Sequence, residues 1–280
     1  MDLSGRTIVM SGGSRGIGLA IALKAAADGA NVALMAKTAE PHPKLEGTVY
    51  TAAEQIEAAG GKALPVVGDV RDDAAVADFV TKAAEHFGGV DIVVNNASAI
   101  DLRGTRDLDV SKYDLMQTIN TRGTFVLTKA AIPHLEASDH AHILTLSPPL
   151  DLDPKWIGPH IAYTLSKYGM SLATLGFAHE LASDGIAANA LWPRTLIATA
   201  AVQNLLGGDA AMARSRTPAI VADAAYEILT SDPRTCTGNT FIDDEVLRDA
   251  GVTDLEHYRA DPDGTAELGL DLYIDGDLDG

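Results

Sequence analysis

The stretch TIVMSGGSRGIGLA, residues 7–20, decides how the rest of the chain is read. Thr7, Ile8, Val9 and Met10 have strand character and run directly into a polar, glycine-rich turn. From Ile17 an apolar helical pattern begins, carried by Leu19, Ala20, Ile21 and Leu23. A strand, a tight turn and a helix in that order gather backbone N–H groups and a positive helix end at one point, which suits a phosphate or pyrophosphate. Glycine is needed where a Cβ would block the turn or hold the ligand's oxygens away from the backbone. Gly12, Gly16 and Gly18 give G-x-x-x-G-x-G, a spacing variant of the dinucleotide-binding fingerprint. Taken alone, the same turn also serves as a plain strand-to-helix connection.

Outward from this unit, strand and helix patterns alternate to the end of the chain, which argues for a parallel sheet covered on both faces. Strands are expected at NVALMA (31–36), 63–67, DIVVNN (91–96), HILTLS (142–147), IAANALW (186–192) and NTFID (239–243). Helices are expected at 51–59, 74–87, 160–183 and 219–230, with a long one from Ser111, read as its cap, to about Glu136. The segment 37–50, with Pro41 and Pro43, reads as a long polar loop, and PPLDLDPKWIGP (148–159) as irregular. A further irregular stretch, 193–216, contains a short helix around 199–206. The expected fold is α/β, a Rossmann-type doubly wound parallel sheet of about seven strands with helices on both faces, in a single domain. Residues 1–245 form the dinucleotide-binding catalytic unit and 246–280 an acidic C-terminal extension.

A chain of 280 residues has ample length to bury a core. Its formal net charge of −18 argues against nucleic acid and anionic membrane surfaces as partners. Cys236 is the only cysteine, which excludes an intrachain disulfide. With no secretory pattern and no long apolar run, a reducing, cytoplasmic setting is expected. The histidines show no metal-ligand spacing, so no metal is expected. The last twenty residues hold seven carboxylates and no Lys or Arg. They read mostly as a solvated tail, the other reading being that Leu268, Leu270, Leu272, Tyr273 and Ile274 dock on a neighbouring copy.

Tyr163 and Lys167 stand four apart on a helix and share a face. A free phenol has a pKa near about 10, and an ammonium beside it favours the phenolate and brings that value toward the working range. The pair is therefore either an acid–base device or a surface pair whose lysine stem covers the ring. Its place one crossover beyond the strands at 91–96 and 142–147 puts it at the crevice that the glycine turn faces.

Here the chain resembles the short-chain dehydrogenase/reductase family from about residue 4 to residue 245. The matching stretches are SGGSRGIG (11–18), GDV (68–70), NNAS (95–98), INTRGTF (119–125) and YTLSK (163–167). The long loop at 38–48, the SPPL turn and the WPRT segment are similar to its hydroxysteroid-dehydrogenase-like branch, whose animal members often carry a sterol-carrier domain; none is expected here. The resemblance implies hydride transfer between a nicotinamide and a carbonyl or alcohol carbon. Tyr163 would exchange the proton on the substrate oxygen, while Lys167 lowers the tyrosine pKa and holds the nicotinamide ribose. Asn120 would position a water behind that lysine, unless it bonds its own backbone or faces solvent. Gly12, Ser14, Arg15, Gly16, Ile17 and Gly18 would hold the cofactor's phosphates. Asp69 and Val70 would meet the adenine, or form a turn and cap before Asp72. Asn95, Asn96, Ala97 and Ser98 would line the cleft, with Asn96 bracing the central strands, or form a polar strand end that caps the next loop. Pro193 and Thr195 would reach the nicotinamide amide, and Thr199 a phosphate.

Two positions depart from the family. Ser147 is followed by Pro148 where a second serine is usual, so Ser147 is the nearest hydroxyl to serve as oxyanion donor. Pro193 is followed by Arg194 where glycine is usual, which either favours an acidic or CoA-bearing substrate or is a plain surface arginine.

An acid at the end of the second strand would bind ribose hydroxyls and repel a 2′-phosphate; here stand Ala36, Lys37 and Thr38, with Arg15 aimed at the same place. NADP(H) is the expected cofactor, NAD(H) the alternative. The expected function is an NADP(H)-dependent oxidoreductase acting on a medium-sized apolar carbonyl or alcohol, steroid-like or acyl-type. Leu150, Trp156, Ile157, Trp192 and the loop 196–212 would shape its pocket. The rival is a nucleotide-binding sensor or scaffold with degenerate catalysis. By resemblance, the helices at 111–136 and 160–183 imply a homo-oligomer, dimer or tetramer.

Overall fold

A computed structural model describes residues 2–41, 47–205 and 207–276. The first unit forms as the residues require: strand β1 (Thr7–Ser11), the glycine turn, and helix α1 (Gly16–Ala27). There follow β2 (Asn31–Ala36), α2 (Val49–Ala58), β3 (Lys62–Val67), α3 (Asp73–Phe87) and β4 (Ile92–Asn95). Next come α4 (Val110–Met116), a π-helical turn (Gln117–Arg122), α5 (Gly123–Leu135), β5 (His142–Leu146), α6 (Pro154–Ile157), α7 (Ile161–Glu180) and β6 (Ala187–Trp192). The chain continues through α8 (Ala200–Leu205), α9 (Gly208–Met212), α10 (Ala219–Leu229), β7 (Thr240–Ile242) and α11 (Asp243–Asp249).

The seven strands lie in the order β3-β2-β1-β4-β5-β6-β7, all parallel, with Ile8 opposite both Val32 and Ile92. Successive side chains of a strand point to opposite faces, so each strand feeds two cores. Ile8, Met10, Leu34, Ile92, Val94 and Leu144 pack beneath α1, α2 and α10. Val9, Ala33, Val93 and Ile143 pack beneath α3, α5 and α7. Burial on both faces is why the strands read as near-continuous apolar runs. No described helix is long and apolar enough to cross a membrane.

Several boundaries move for identifiable reasons. Helix α2 starts two residues earlier than expected, because Thr48 and Thr51 cap each other: Thr51 N–H donates to Thr48 Oγ1 at 3.1 Å, and Thr48 N–H to Thr51 Oγ1 at 2.8 Å. The long helix begins after Asp109, so Ser111 lies in its first turn, and the π-helical turn interrupts it at 117–122. The stretch 148–159 contains α6, begun by Asp153 capping Lys155 N–H with Pro154 in the first turn. Helices α9 and α11 are further additions. Of the 37–50 loop, the part around Pro43 lies outside the described residues, as does residue 206.

The tail departs most from expectation. Asp261, Asp263 and Asp275 are exposed, as a solvated tail requires. Leu268, Tyr273 and Ile274 are buried, and they dock on their own chain. A row of alternating apolar residues finds a better partner in the apolar mouth beside α7 than in water.

Candidate active site

The expected site residues collect at the carboxyl ends of the strands, around the switch point where β1 neighbours both β2 and β4. In the first turn, Gly16 has φ +57°, a conformation that favours glycine. At Gly18 a Cβ would come 2.5 Å from Asn96 Nδ2 and 2.8 Å from the Gly12 carbonyl oxygen. Asn96 braces this turn by donating to Gly12 O at 2.8 Å and Ser11 O at 3.3 Å, and Ala97 N–H donates to Ser11 Oγ at 3.2 Å. Helix α1 starts without a side-chain cap and with no acid in its first turn, leaving an anion-receptive end. Ser14 is buried in the same turn and Ile17 is partly buried behind it, while Ser98 is exposed at the rim. Thr199 leans over it: its methyl would be 3.4 Å from a Cβ on Gly16.

The cations beside β2 are not isolated. Lys37 Nζ lies 3.1 Å from Asp69 Oδ2, and Arg71 grips the same carboxylate from Nε and Nη2. Arg71, with smaller help from Lys37, holds Asp69 well below the usual carboxylate range. Arg15 Nη2 donates to Gly47 O at 2.7 Å. Val70 is buried against Gly123 at the head of α5.

On α7, Tyr163 and Lys167 both point inward and are 4% and 3% exposed. Lys167 Nζ donates to Leu146 O at 2.8 Å, and burial lowers the lysine to about 7, against the pull of Asp271. Burial, then Tyr273 and Asp271, push the Tyr163 phenol well above its ordinary value. The shift is upward, opposite in direction to the one expected from the neighbouring lysine. Asn120 is fully buried, so it neither faces solvent nor bonds its own backbone. Its Oδ1 accepts from Ala99 N–H at 2.7 Å, and its Nδ2 donates to Ala99 O and Ser166 Oγ, both at 2.9 Å. Ser166 Oγ in turn donates to Tyr163 O at 2.8 Å, so Asn120 ties the loop after β4 to the turn of α7 that carries the pair.

Ser147, just past β5, is fully buried, and its hydroxyl has no partner among the described residues; Thr195 Oγ1 is in the same condition. Such groups cost about 1–3 kcal/mol, and each calls for an explanation. Next to the buried Pro193, Thr195 pairs with Leu270 in a short antiparallel ladder, closed by Asp271 N–H to Arg194 O and Leu196 N–H to Gly269 O, each 2.9 Å. The N–H and C=O of Thr195 therefore face away from the tail.

Arg194 is neither at the surface nor at the mouth. It is 4% exposed, its Nε lies 2.7 Å from both oxygens of Asp244, its Nη2 bonds Glu245, and its own N–H donates to Asp243 Oδ1 at 2.9 Å. Its partners come from the first turn of α11, an element absent from the sequence reading.

Leu150, Trp156 and Trp192 gather as expected beside Tyr163. Tyr168, Asp271 and Tyr273 join them, and sequence reasoning missed all three. The available signals were the second tyrosine of the YTLSKY helix and the apolar alternation of LDLYI at 270–274.

A family model described as short chain dehydrogenase matches residues 6–208. Among curated proteins, hydroxysteroid dehydrogenase-like protein 2 of Xenopus tropicalis is 56% identical over 260 residues, 93% of this chain and 62% of that protein. The chain thus spans about 62% of the length of that relative. Among solved structures, a short chain dehydrogenase of Mycobacterium thermoresistibile is 58% identical with a TM-score of 0.92, covering 98% of this chain and 97% of that one. A short chain dehydrogenase of Burkholderia cenocepacia solved in complex with NADP is 28% identical with a TM-score of 0.72, covering 86% and 97%.

Proposed function

The chain belongs to the short-chain dehydrogenase family, and on that premise we propose that it interconverts a carbonyl and an alcohol on a medium-sized apolar substrate with NADP(H). The observation that supports this reading is the inward-turned pair Tyr163 and Lys167 on α7, with Lys167 Nζ bonded to the carbonyl of Leu146, the residue before Ser147, whose buried hydroxyl has no partner among the described residues.

The residues fit a dinucleotide. The uncapped start of α1 suits its pyrophosphate, which Gly12, Ser14, Gly16 and Ile17 would hold with Thr199 close over Gly16, and Asp69 and Val70 would meet the adenine. Asn96, Ala97, Ser98, Pro193, Thr195 and Lys167 would hold the nicotinamide end. Bound there, the nicotinamide supplies or accepts the hydride. Tyr163 donates its proton to the substrate oxygen as the carbonyl is reduced and takes it back in the reverse direction. Ser147 donates a hydrogen bond to the same oxygen and steadies charge building there. Asn120 acts through Ser166 and the backbone of Tyr163, keeping α7 in register with the loop after β4. Preference for NADP(H) rests on Lys37, Arg15 and Arg71 standing where a 2′-phosphate would lie, with Lys37 exchanging Asp69 for the phosphate.

Arg194's engagement with Asp244 gives that departure from the family a structural reason. Exposed Val110, Phe125, Leu165 and Leu172 on α4, α5 and α7 support a homo-oligomer, and sedimentation of the full chain is expected to show a dimer or tetramer.

The test is NADPH oxidation across a panel of apolar ketones and aldehydes. Tyr163→Phe is expected to slow turnover by about 10²–10⁴-fold while NADPH affinity, read from its fluorescence, is unchanged. Equal turnover in the variant would remove Tyr163 as proton donor. NADH bound about a hundredfold more tightly than NADPH would overturn the cofactor assignment.

A further inference from the structure

We propose that the aromatic cage now filled by Tyr273 is the substrate's own pocket, held by this side chain until a planar, ring-bearing substrate displaces it. The inference rests on the oxidoreductase reading of Tyr163 and adds a substrate class and an internal competitor to it.

The Tyr273 ring lies among four others: Tyr168 at 5.2 Å between centroids, Trp156 at 5.9 Å, Trp192 at 6.1 Å and Tyr163 at 6.5 Å, stacked at 26°. Its hydroxyl is 3.1 Å from the Oγ1 of Thr164, the neighbour of Tyr163. Proton transfer requires the substrate oxygen at hydrogen-bond distance from the phenol. Tyr163 is 4% exposed and the Tyr273 ring is stacked against it, so a substrate reaches its hydroxyl only when the occupant leaves.

The way the segment is fastened shows where it opens. Up to Asp271 it is laddered by backbone bonds: Gly269 N–H to Arg214 O and Asp271 N–H to Arg194 O, both 2.9 Å. Beyond that point side chains hold it: the Trp192 indole N–H donates to Leu272 O at 2.8 Å, and Lys155 pairs with Asp275 at 2.5 Å. Tyr273 is the one non-glycine residue with positive φ among the described residues, at +68°, so backbone preference opposes what ring packing imposes. The hinge is therefore at Asp271–Leu272, and the ladder to Thr195 survives opening.

A cage of rings whose hydroxyls at Tyr163 and Thr164 mark its polar side selects a flat ring system with a polar terminus over a linear chain. Trp156 and Trp192 are the chain's two tryptophans, so intrinsic fluorescence reports on this pocket independently of turnover.

The experiment compares the full chain with Tyr273→Gly and Tyr273→Phe, using α-tetralone as flat probe and 2-decanone as linear probe, by calorimetry and by NADPH oxidation. Tyr273→Gly is expected to bind α-tetralone about tenfold more tightly than the unaltered chain, with red-shifted tryptophan emission before the probe is added. Tyr273→Phe keeps the ring and is expected to behave as the unaltered chain; a Phe variant as open as the Gly variant overturns the proposal. Equal or weaker α-tetralone binding by Tyr273→Gly, or 2-decanone bound as tightly as α-tetralone, also overturns it. Tighter probe binding with no NADPH oxidation by any variant upholds the pocket and sinks the oxidoreductase reading. Ketone reduction with probe affinity untouched by Tyr273→Gly does the reverse.

Discussion

Ser147 shows what a single side chain discloses only in three dimensions. A buried hydroxyl without a partner lowers stability, so it persists where a transient partner needs it. Ser147→Ala is expected to leave stability in urea unchanged or raise it by up to about 1 kcal/mol, while carbonyl turnover falls about 10²–10³-fold. A less stable, fully active variant would make Ser147 structural. Tyr273 is balanced at the same scale. Burying its ring contributes roughly 1.5–3 kcal/mol, and holding positive φ costs roughly 1–3 kcal/mol. That near-equality suits a side chain that must leave. The Tyr–Lys spacing was plain in the sequence, whereas the height of the Tyr163 pKa was not, because it depends on what covers the phenol.

Among the elements, the π-helical turn between α4 and α5 positions the site. It carries Asn120, and it lets Thr121 approach α7, donating from Oγ1 to Ser166 O at 2.9 Å. The approach is close because residue 169 is glycine: a Cβ there would stand 2.6 Å from Thr121 Oγ1. Gly169→Ala is expected to destabilise the chain, by up to about 2 kcal/mol, since overpacking exceeds the gain in helix propensity. In a Thr121→Ala background the same substitution is expected to become stabilising, by about 0.5–1 kcal/mol. Thermal denaturation of the four chains in the cycle reads the change of sign; the same cost in both backgrounds would place the clash elsewhere. The helix itself was legible from its apolar period. The π turn was not, because one extra residue leaves that period nearly intact.

At the scale of the whole molecule, stability carries the signature of buried carboxylates. Asp243 is fully buried and accepts from the N–H groups of Arg194 and Asp244, and burial pushes it up to about 7. Between its unfolded value of 3.8 and about 7 the folded chain holds the proton more firmly than the unfolded one. The stability this lends is complete below that window and is lost as pH rises through it, at up to about 1.4 kcal/mol per pH unit. Asp271, also raised to about 7 by burial, adds to the same slope. Lys167, lowered to about 7, acts with opposite sign above neutrality, where the unfolded chain holds the extra proton. Urea denaturation between pH 5 and 7 is expected to show falling stability in the unaltered chain and a shallower fall in Asp243→Asn. An unchanged slope would assign the effect to other groups.

What the sequence determined by itself was local: the strand–glycine turn–helix unit, the alternation behind a parallel sheet, and the i,i+4 placement of Tyr163 and Lys167. These follow from backbone freedom and side-chain period within about ten residues, which a linear string records. Tertiary structure decided whatever depends on partners far apart in the chain. Arg194 meets Asp243 across 49 positions and Thr164 meets Tyr273 across 109, and each pairing is settled by which polar groups burial leaves unsatisfied. The tail's fate belongs to that second class: its apolar alternation was visible, but the aromatic mouth that receives it exists only once α7, β6 and the loop after β5 have come together.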